Sequence, residues 1–144
     1  LPISVVTQTL AQLCPAMTSV MRRVLLVDDE DPVRNVLRRY LELRGWAVIE
    51  ATSAEEALVI LDTEADSVGV VVVDFHLPGL SGGALCRRIA TEYPMLASRM
   101  LMASGDAMEA VSALAREAFH CPVLTKPFDL LDFVHALDDM VATA

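Results

Sequence analysis

Five short apolar runs recur along this chain, and the interval after each suits one helix. The runs are Val24–Val27, Trp46–Ala51, Val70–Val73, Met100–Ala103 and Pro122–Leu124. Their starts, at 24, 46, 70, 100 and 122, lie 22, 24, 30 and 22 residues apart. Each interval holds a strand, a turn and a crossover helix, so the pattern predicts an α/β domain around a parallel sheet. Four consecutive valines at 70–73 show no alternation, which marks a strand buried on both faces. That run ends in Asp74. An unpaired carboxylate is costly away from water, so either a partner offsets that cost or Asp74 lies where the strand opens to solvent.

The segments between the runs carry a helical period. Val33, Val36, Leu37, Tyr40 and Leu41 fall on one face, opposite Arg34, Arg38 and Arg39. Asp31 is the expected cap of that helix, Pro32 suits its first position and Gly45 follows its last turn. Ala54, Ala57, Leu58 and Leu61 repeat at helical spacing after Ser53, with Glu56 placed for a capping box. The last helix repeats Leu130, Phe133, Val134 and Leu137. No internal repeat breaks this pattern, so residues 21–144 are expected to form one domain with a workable core.

Residues 1–20 differ and read as a linker or N-terminal extension. Ile3, Val6, Leu10, Leu13, Met17 and Val20 alternate in steps of three and four, a heptad-like stripe that Pro15 interrupts. This segment has no charged residue, where a secretory signal would begin basic. No apolar run approaches the ~20 residues of a membrane span. A formal charge of −9 argues against broad binding to nucleic acid or an anionic membrane. Aromatic residues, at 5%, offer no base-stacking platform. Cys14, Cys86 and Cys121 form no CxxC pair and read as reduced thiols of a cytoplasmic protein, two of them in the core. His120 and His135 lack metal-ligand spacing and read as structural or surface residues. Met95, Met100, Met102 and Met108 read as packing, and Asp138 with Asp139 as a solvated face.

Polar side chains follow the apolar runs. A parallel open sheet binds ligands outside the carboxyl ends of its strands, where strand order reverses. Asp28 and Asp29 follow the first run, Asp74 the third, Ser104 the fourth, and Thr125 and Lys126 the fifth. The second offers only Glu50, facing away or on an outer strand. With strand order 2-1-3-4-5, strands one and three are neighbours and the three aspartates share one mouth. Three such carboxylates repel one another by several kcal/mol at an effective dielectric near ~20. Protonation of one, or a hard cation between them, relieves this, and oxygen ligands with water are the habit of Mg²⁺.

Lys126 and Ser104 extend the chemistry. A metal, an ammonium and a hydroxyl around one carboxylate suit a phosphoryl group arriving on Asp74, whose oxygens need neutralising. Asp74 is then a nucleophile that forms an acyl phosphate.

The stretches "VLLVDDEDPVR", "VVVVDFHLPGLSG", "MLMASGDA" and "VLTKPF", in this order and spacing, resemble the receiver domains of two-component response regulators over about residues 22–141. The resemblance implies a doubly wound, flavodoxin-like fold of order 2-1-3-4-5. It implies phosphotransfer to Asp74 from a histidine kinase or a histidine phosphotransfer protein, a self-reaction with no separate substrate. It further implies that Asp29 binds Mg²⁺ directly, that Asp28 acts mainly through water, and that the backbone carbonyl of His76 is a ligand beside Asp74. Lys126 and Ser104 match the family's lysine and hydroxyl switch, the Lys126–Pro127 bond is expected to be cis, and Pro78 and Gly82 match the turn into helix three.

Val123 departs from the family, which commonly has Tyr, Phe or His three residues before the lysine. This puts in doubt the usual coupling and the output, or dimer, through the helix four, strand five, helix five face. His76 and Asp106 occupy variable positions that flank the approach of water. Leu1 in place of Met points to a piece of a longer protein, and "LPIS" is similar to the closing strand of a histidine kinase ATP-binding domain, so a hybrid kinase is the favoured parent. A stand-alone regulator starting at Met21 is the alternative. An aspartate-nucleophile phosphohydrolase would need an acid at His76, and a nucleotide-binding protein would need a phosphate loop this sequence lacks.

Overall fold

Parallel strands pair in the order β2-β1-β3-β4-β5 in the computed structural model, which describes residues 22–142. The strands are β1 (Arg23–Val27), β2 (Ala47–Ala51), β3 (Val70–Asp74), β4 (Met100–Ser104) and β5 (Val123–Thr125). Between and after them lie α1 (Asp31–Leu43), α2 (Ala54–Glu64), α3 (Gly82–Glu92), α4 (Ala107–Arg116) and α5 (Leu130–Ala142). This is the expected doubly wound receiver fold. Two one-turn 3-10 helices, Ala65–Ser67 and Pro94–Leu96, were not expected. The apolar stripe of residues 1–20, Pro15 and Cys14 lie outside the described residues.

The valines of β3 divide between two core layers, as a strand's period of two requires. Val70 and Val72 pack with Leu37 and Leu41 of α1 and with Phe133, Val134 and Leu137 of α5. Val71 and Val73 pack with Leu61 of α2, Leu85 and Ile89 of α3, and Leu114 of α4. With helices on both faces and strands on both sides, β3 has nothing to gain from a polar face. All five of its residues, Asp74 included, are buried. Val24↔Val70 and Val27↔Val73 fix the β1–β3 register, and Asp74↔Ala103 carries the β3–β4 ladder to the last residue.

Several local expectations are corrected. Glu30, with extended backbone, holds the N-cap of α1; Asp31 and Pro32 occupy its first turn. Asp31 cannot cap because it is already helical. Ser53 caps α2 by accepting from the Glu56 amide at 3.1 Å, but the Glu56 carboxylate accepts from the Thr52 hydroxyl at 2.7 Å instead of completing a box. Arg34, assigned by periodicity to the solvent face, is buried, while Val36 on the supposed core face is exposed. Met100 and Met102 are buried strand residues, whereas Met95 and Met108 are exposed. Asp138 is not merely solvated: it accepts from the Trp46 indole at 3.1 Å and pairs with Arg22 at 3.0 Å. Cys86 and Cys121 are buried free thiols that neighbour each other in one core layer. His120 and His135 are exposed.

One glycine fixes how α3 meets the sheet. A Cβ on Gly82 would stand 2.6 Å from the Asp74 carbonyl oxygen and 3.0 Å from the Phe75 Cα, both backbone atoms that cannot swing away. The start of α3 therefore lies directly against the end of β3. Gly45, at φ +90°, ends α1 in the left-handed region that glycine enters freely.

Candidate functional site

Asp74 is the last residue of β3, and Asp28 and Asp29 directly follow β1, the adjacent strand. One carboxylate oxygen from each of the three lies within 4.8 Å of the others. Asp28 and Asp74 are buried, while Asp29 is exposed and leaves the cluster open to solvent. Backbone donors fix the two buried acids: the Glu30 amide donates to Asp28 Oδ1 at 2.8 Å and the His76 amide to Asp74 Oδ1 at 3.3 Å. Lys126 reaches in from beyond β5, its Nζ 3.4 Å from Asp74 Oδ1 and 3.8 Å from Asp28 Oδ2. The Lys126 amide donates to the Ser104 carbonyl at 2.7 Å, which ties the lysine to the end of β4. The Lys126–Pro127 bond is cis, as expected.

Burial dominates the electrostatics. It pushes the Asp74 carboxyl above its ordinary range against the pull of Lys126 and the His76 amide. Burial does the same to Asp28, opposed by the Glu30 amide and reinforced by the charge of Asp74. With all three acids ionised, three carboxylates against one ammonium leave a formal −2, the charge a divalent cation cancels. The donor set is carboxylate oxygen alone, with no thiolate or imidazole in the cluster. Hard donors, excess negative charge and one open side fit Mg²⁺, which keeps several waters.

Ser104 stands at the mouth but faces its own turn. It is fully buried, donates from Oγ to the Asp106 carbonyl at 2.9 Å and accepts from the Asp106 amide at 3.0 Å. Asp106 in turn caps α4, accepting from the Glu109 amide at 3.1 Å. His76 is exposed, with its ring edge against Phe75 at 4.8 Å between centroids. Val123 is half-buried against the α2–α4 core layer. Glu50 lies on the outer strand β2, as one of its two expected placements, and binds Arg34 at 3.2 Å and Arg38 at 3.5 Å.

Two features escaped the sequence. Arg34 donates to the Asp28 backbone carbonyl at 2.8 Å; Glu50, the sole polar residue of β2 and without an evident partner, was the available signal. An open groove of about 560 Å³ lies beside the acid cluster, lined by Val33, Val36 and Leu37 of α1 and by Lys126, Pro127 and Phe128 after β5. It is assembled from segments remote in sequence, which no periodicity brings together.

Residues 24–138 match the family described as the response regulator receiver domain. The chain is 38% identical over 123 residues to response regulator protein FleR of Pseudomonas aeruginosa, covering 82% of this chain and 25% of that protein. It is 34% identical over 118 residues to sensor kinase CckA of Brucella abortus, covering 82% of this chain and 12% of the kinase. The chain thus spans a quarter or less of these relatives' lengths. Among solved structures, a response regulator receiver domain protein from Clostridium thermocellum superposes with a TM-score of 0.75 at 26% identity, covering 84% of this chain and 94% of that one. No helix among the described residues is long and apolar enough to cross a membrane.

Proposed function

Since the chain belongs to the response regulator receiver domains, we propose that it accepts a phosphoryl group on Asp74 from a phosphohistidine and so switches its contacts with partners. The observation that carries this is the meeting of Asp28, Asp29 and Asp74 with the Lys126 ammonium at one solvent-open mouth. In the transfer, an Asp74 carboxylate oxygen forms a bond to phosphorus while the phosphorus–nitrogen bond of the donor breaks. The electron pair returns to the imidazole nitrogen. Mg²⁺, when bound, neutralises charge on the phosphoryl oxygens and orients them.

The chain's own groups do the rest. Asp28 and Asp29 would hold the cation, with the His76 backbone carbonyl as a further ligand beside Asp74. Lys126 leaves its pairing with Asp74 to meet a phosphoryl oxygen, so its charge is already in place. Ser104 exchanges its bond to the Asp106 carbonyl for one to another phosphoryl oxygen. Because Asp106 also caps α4, that exchange transmits to the start of the helix without an aromatic residue at position 123. Met108 and Val111 are exposed on α4, which supports output through the α4, β5 and α5 face.

The groove beside Lys126 suits a helix of the phosphodonor, a histidine kinase or a histidine phosphotransfer protein, because it offers apolar side chains next to the acceptor. A hybrid kinase is the favoured parent, and similarity to sensor kinase CckA supports it. Similarity to response regulator protein FleR supports a separate regulator.

Incubation with Mg²⁺ and acetyl phosphate, read by intact mass, tests the central step. The expected result is a gain of one phosphoryl group, lost in Asp74→Asn and when Mg²⁺ is removed. Undiminished labelling of Asp74→Asn would overturn the assignment.

A further inference from the structure

Arg34 is a buried charge with no part in the phosphoryl chemistry. Its guanidinium is satisfied by three elements at once. Nη1 donates to the Asp28 backbone carbonyl at 2.8 Å, Nε to Glu50 Oε1 on β2 at 3.2 Å, and Nη2 to the carboxylate of Asp31 in the first turn of α1. Asp28 is thus gripped from two sides, its carbonyl by Arg34 and its carboxylate by the Glu30 amide. The carbonyl points at the guanidinium and the carboxylate points into the acid cluster. Asp29 follows on the same short turn.

We propose that Arg34 is a positioning residue for the cation site: by holding the Asp28 carbonyl against β2 and α1, it fixes the turn that presents the Asp28 and Asp29 carboxylates. This rests on the cation site described above. Outer hydrogen bonds of this kind orient the groups that touch a metal, and their loss typically weakens metal binding about 10- to 100-fold. Three fixed donors on a planar guanidinium define an orientation that one ammonium cannot.

The sign of the effect separates positioning from charge. Arg34 is a cation near an anionic pocket, so on Coulomb's law alone its removal tightens cation binding. A positioning role demands the reverse.

Titration calorimetry of the cation-free protein with MgCl₂, at a temperature where circular dichroism shows each variant folded, provides the test. The expected result for Arg34→Met is a Mg²⁺ dissociation constant raised at least about tenfold. Arg38→Met, which loses contacts to Glu50 and Glu42 but none to the turn, should bind as the parent does. Parental or tighter affinity in folded Arg34→Met overturns the proposal. If that variant does not fold, Arg34→Lys replaces it, with an intermediate loss expected and parental affinity again overturning. Absence of Mg²⁺ binding by the parent itself sinks the cation site, and this role of Arg34 with it.

Discussion

Burial governs Asp28 and Asp74, and it sets how stability follows pH. Both carboxyls are held above their ordinary value of 3.8. For an acid so shifted, the folded state favours the protonated form. The stability it contributes is complete below 3.8 and is lost as pH rises through the raised value. At neutral pH and without divalent cation the pair therefore weakens the fold. Asp74→Asn should melt a few degrees higher than the parent at pH 7 in EDTA, and the gain should vanish on acidification towards pH 3.8. A calorimetric melting series across that interval checks it; a lower melting point at pH 7 would show that the lost pairing with Lys126 outweighs the relief. The acids were legible in the sequence because carboxylates ending apolar runs stand out. Arg34 was not, since helical periodicity assigns any arginine to water and cannot see an acceptor on another strand.

Elements meet here through backbone as much as through side chains. The β3–α3 junction depends on Gly82, whose missing Cβ lets the helix start approach the Asp74 carbonyl. Gly82→Ala should destabilise by about 1–3 kcal/mol, the usual cost of forcing extra atoms into a packed contact. Urea denaturation measures this, and an unchanged midpoint would mean that α3 shifts freely. The same substitution should slow acetyl phosphate labelling, because the turn it displaces begins at Asp74. Strand and helix spacing was legible throughout, yet β3 and β4 each run one residue past the apolar stretch. The ladder does not stop where hydrophobicity does: Asp74↔Ala103 and Ser104↔Thr125 still pair. Hydropathy marks burial, whereas strand ends are set by backbone hydrogen bonds. For the same reason the α1 cap moved to Glu30, the last residue with extended backbone.

The whole molecule divides into a stable frame and a charged mouth that the frame holds open. A ligand that binds only the folded state adds RT ln(1 + [L]/Kd), about 2.7 kcal/mol at a hundredfold excess over Kd. Saturating Mg²⁺ should accordingly raise the parent's melting temperature by several degrees. Asp74→Asn should show a smaller shift, reversing their order in EDTA. Equal shifts would place the bound cation elsewhere. Interval lengths made the parallel α/β sheet legible and the family resemblance its doubly wound order, but two long-range pairings were not legible. Cys86 meets Cys121, and Asp138 meets Trp46, across distances in sequence that no local pattern spans.

The Asp138 contact has an optical consequence. Trp46 is the only indole of the chain. It sits just before β2, at the pole of the sheet away from the acids, clasped by α5 through Asp138 and approached by Arg22 at 5.8 Å from its ring. Intrinsic fluorescence should therefore act as a gauge of whether α5 is docked, and stay nearly silent to events at Asp74 that leave that helix in place. Red-shifted emission on unfolding, set against unchanged emission on Mg²⁺ addition, would show that the indole reports the docking of α5 and not the filling of the acid cluster.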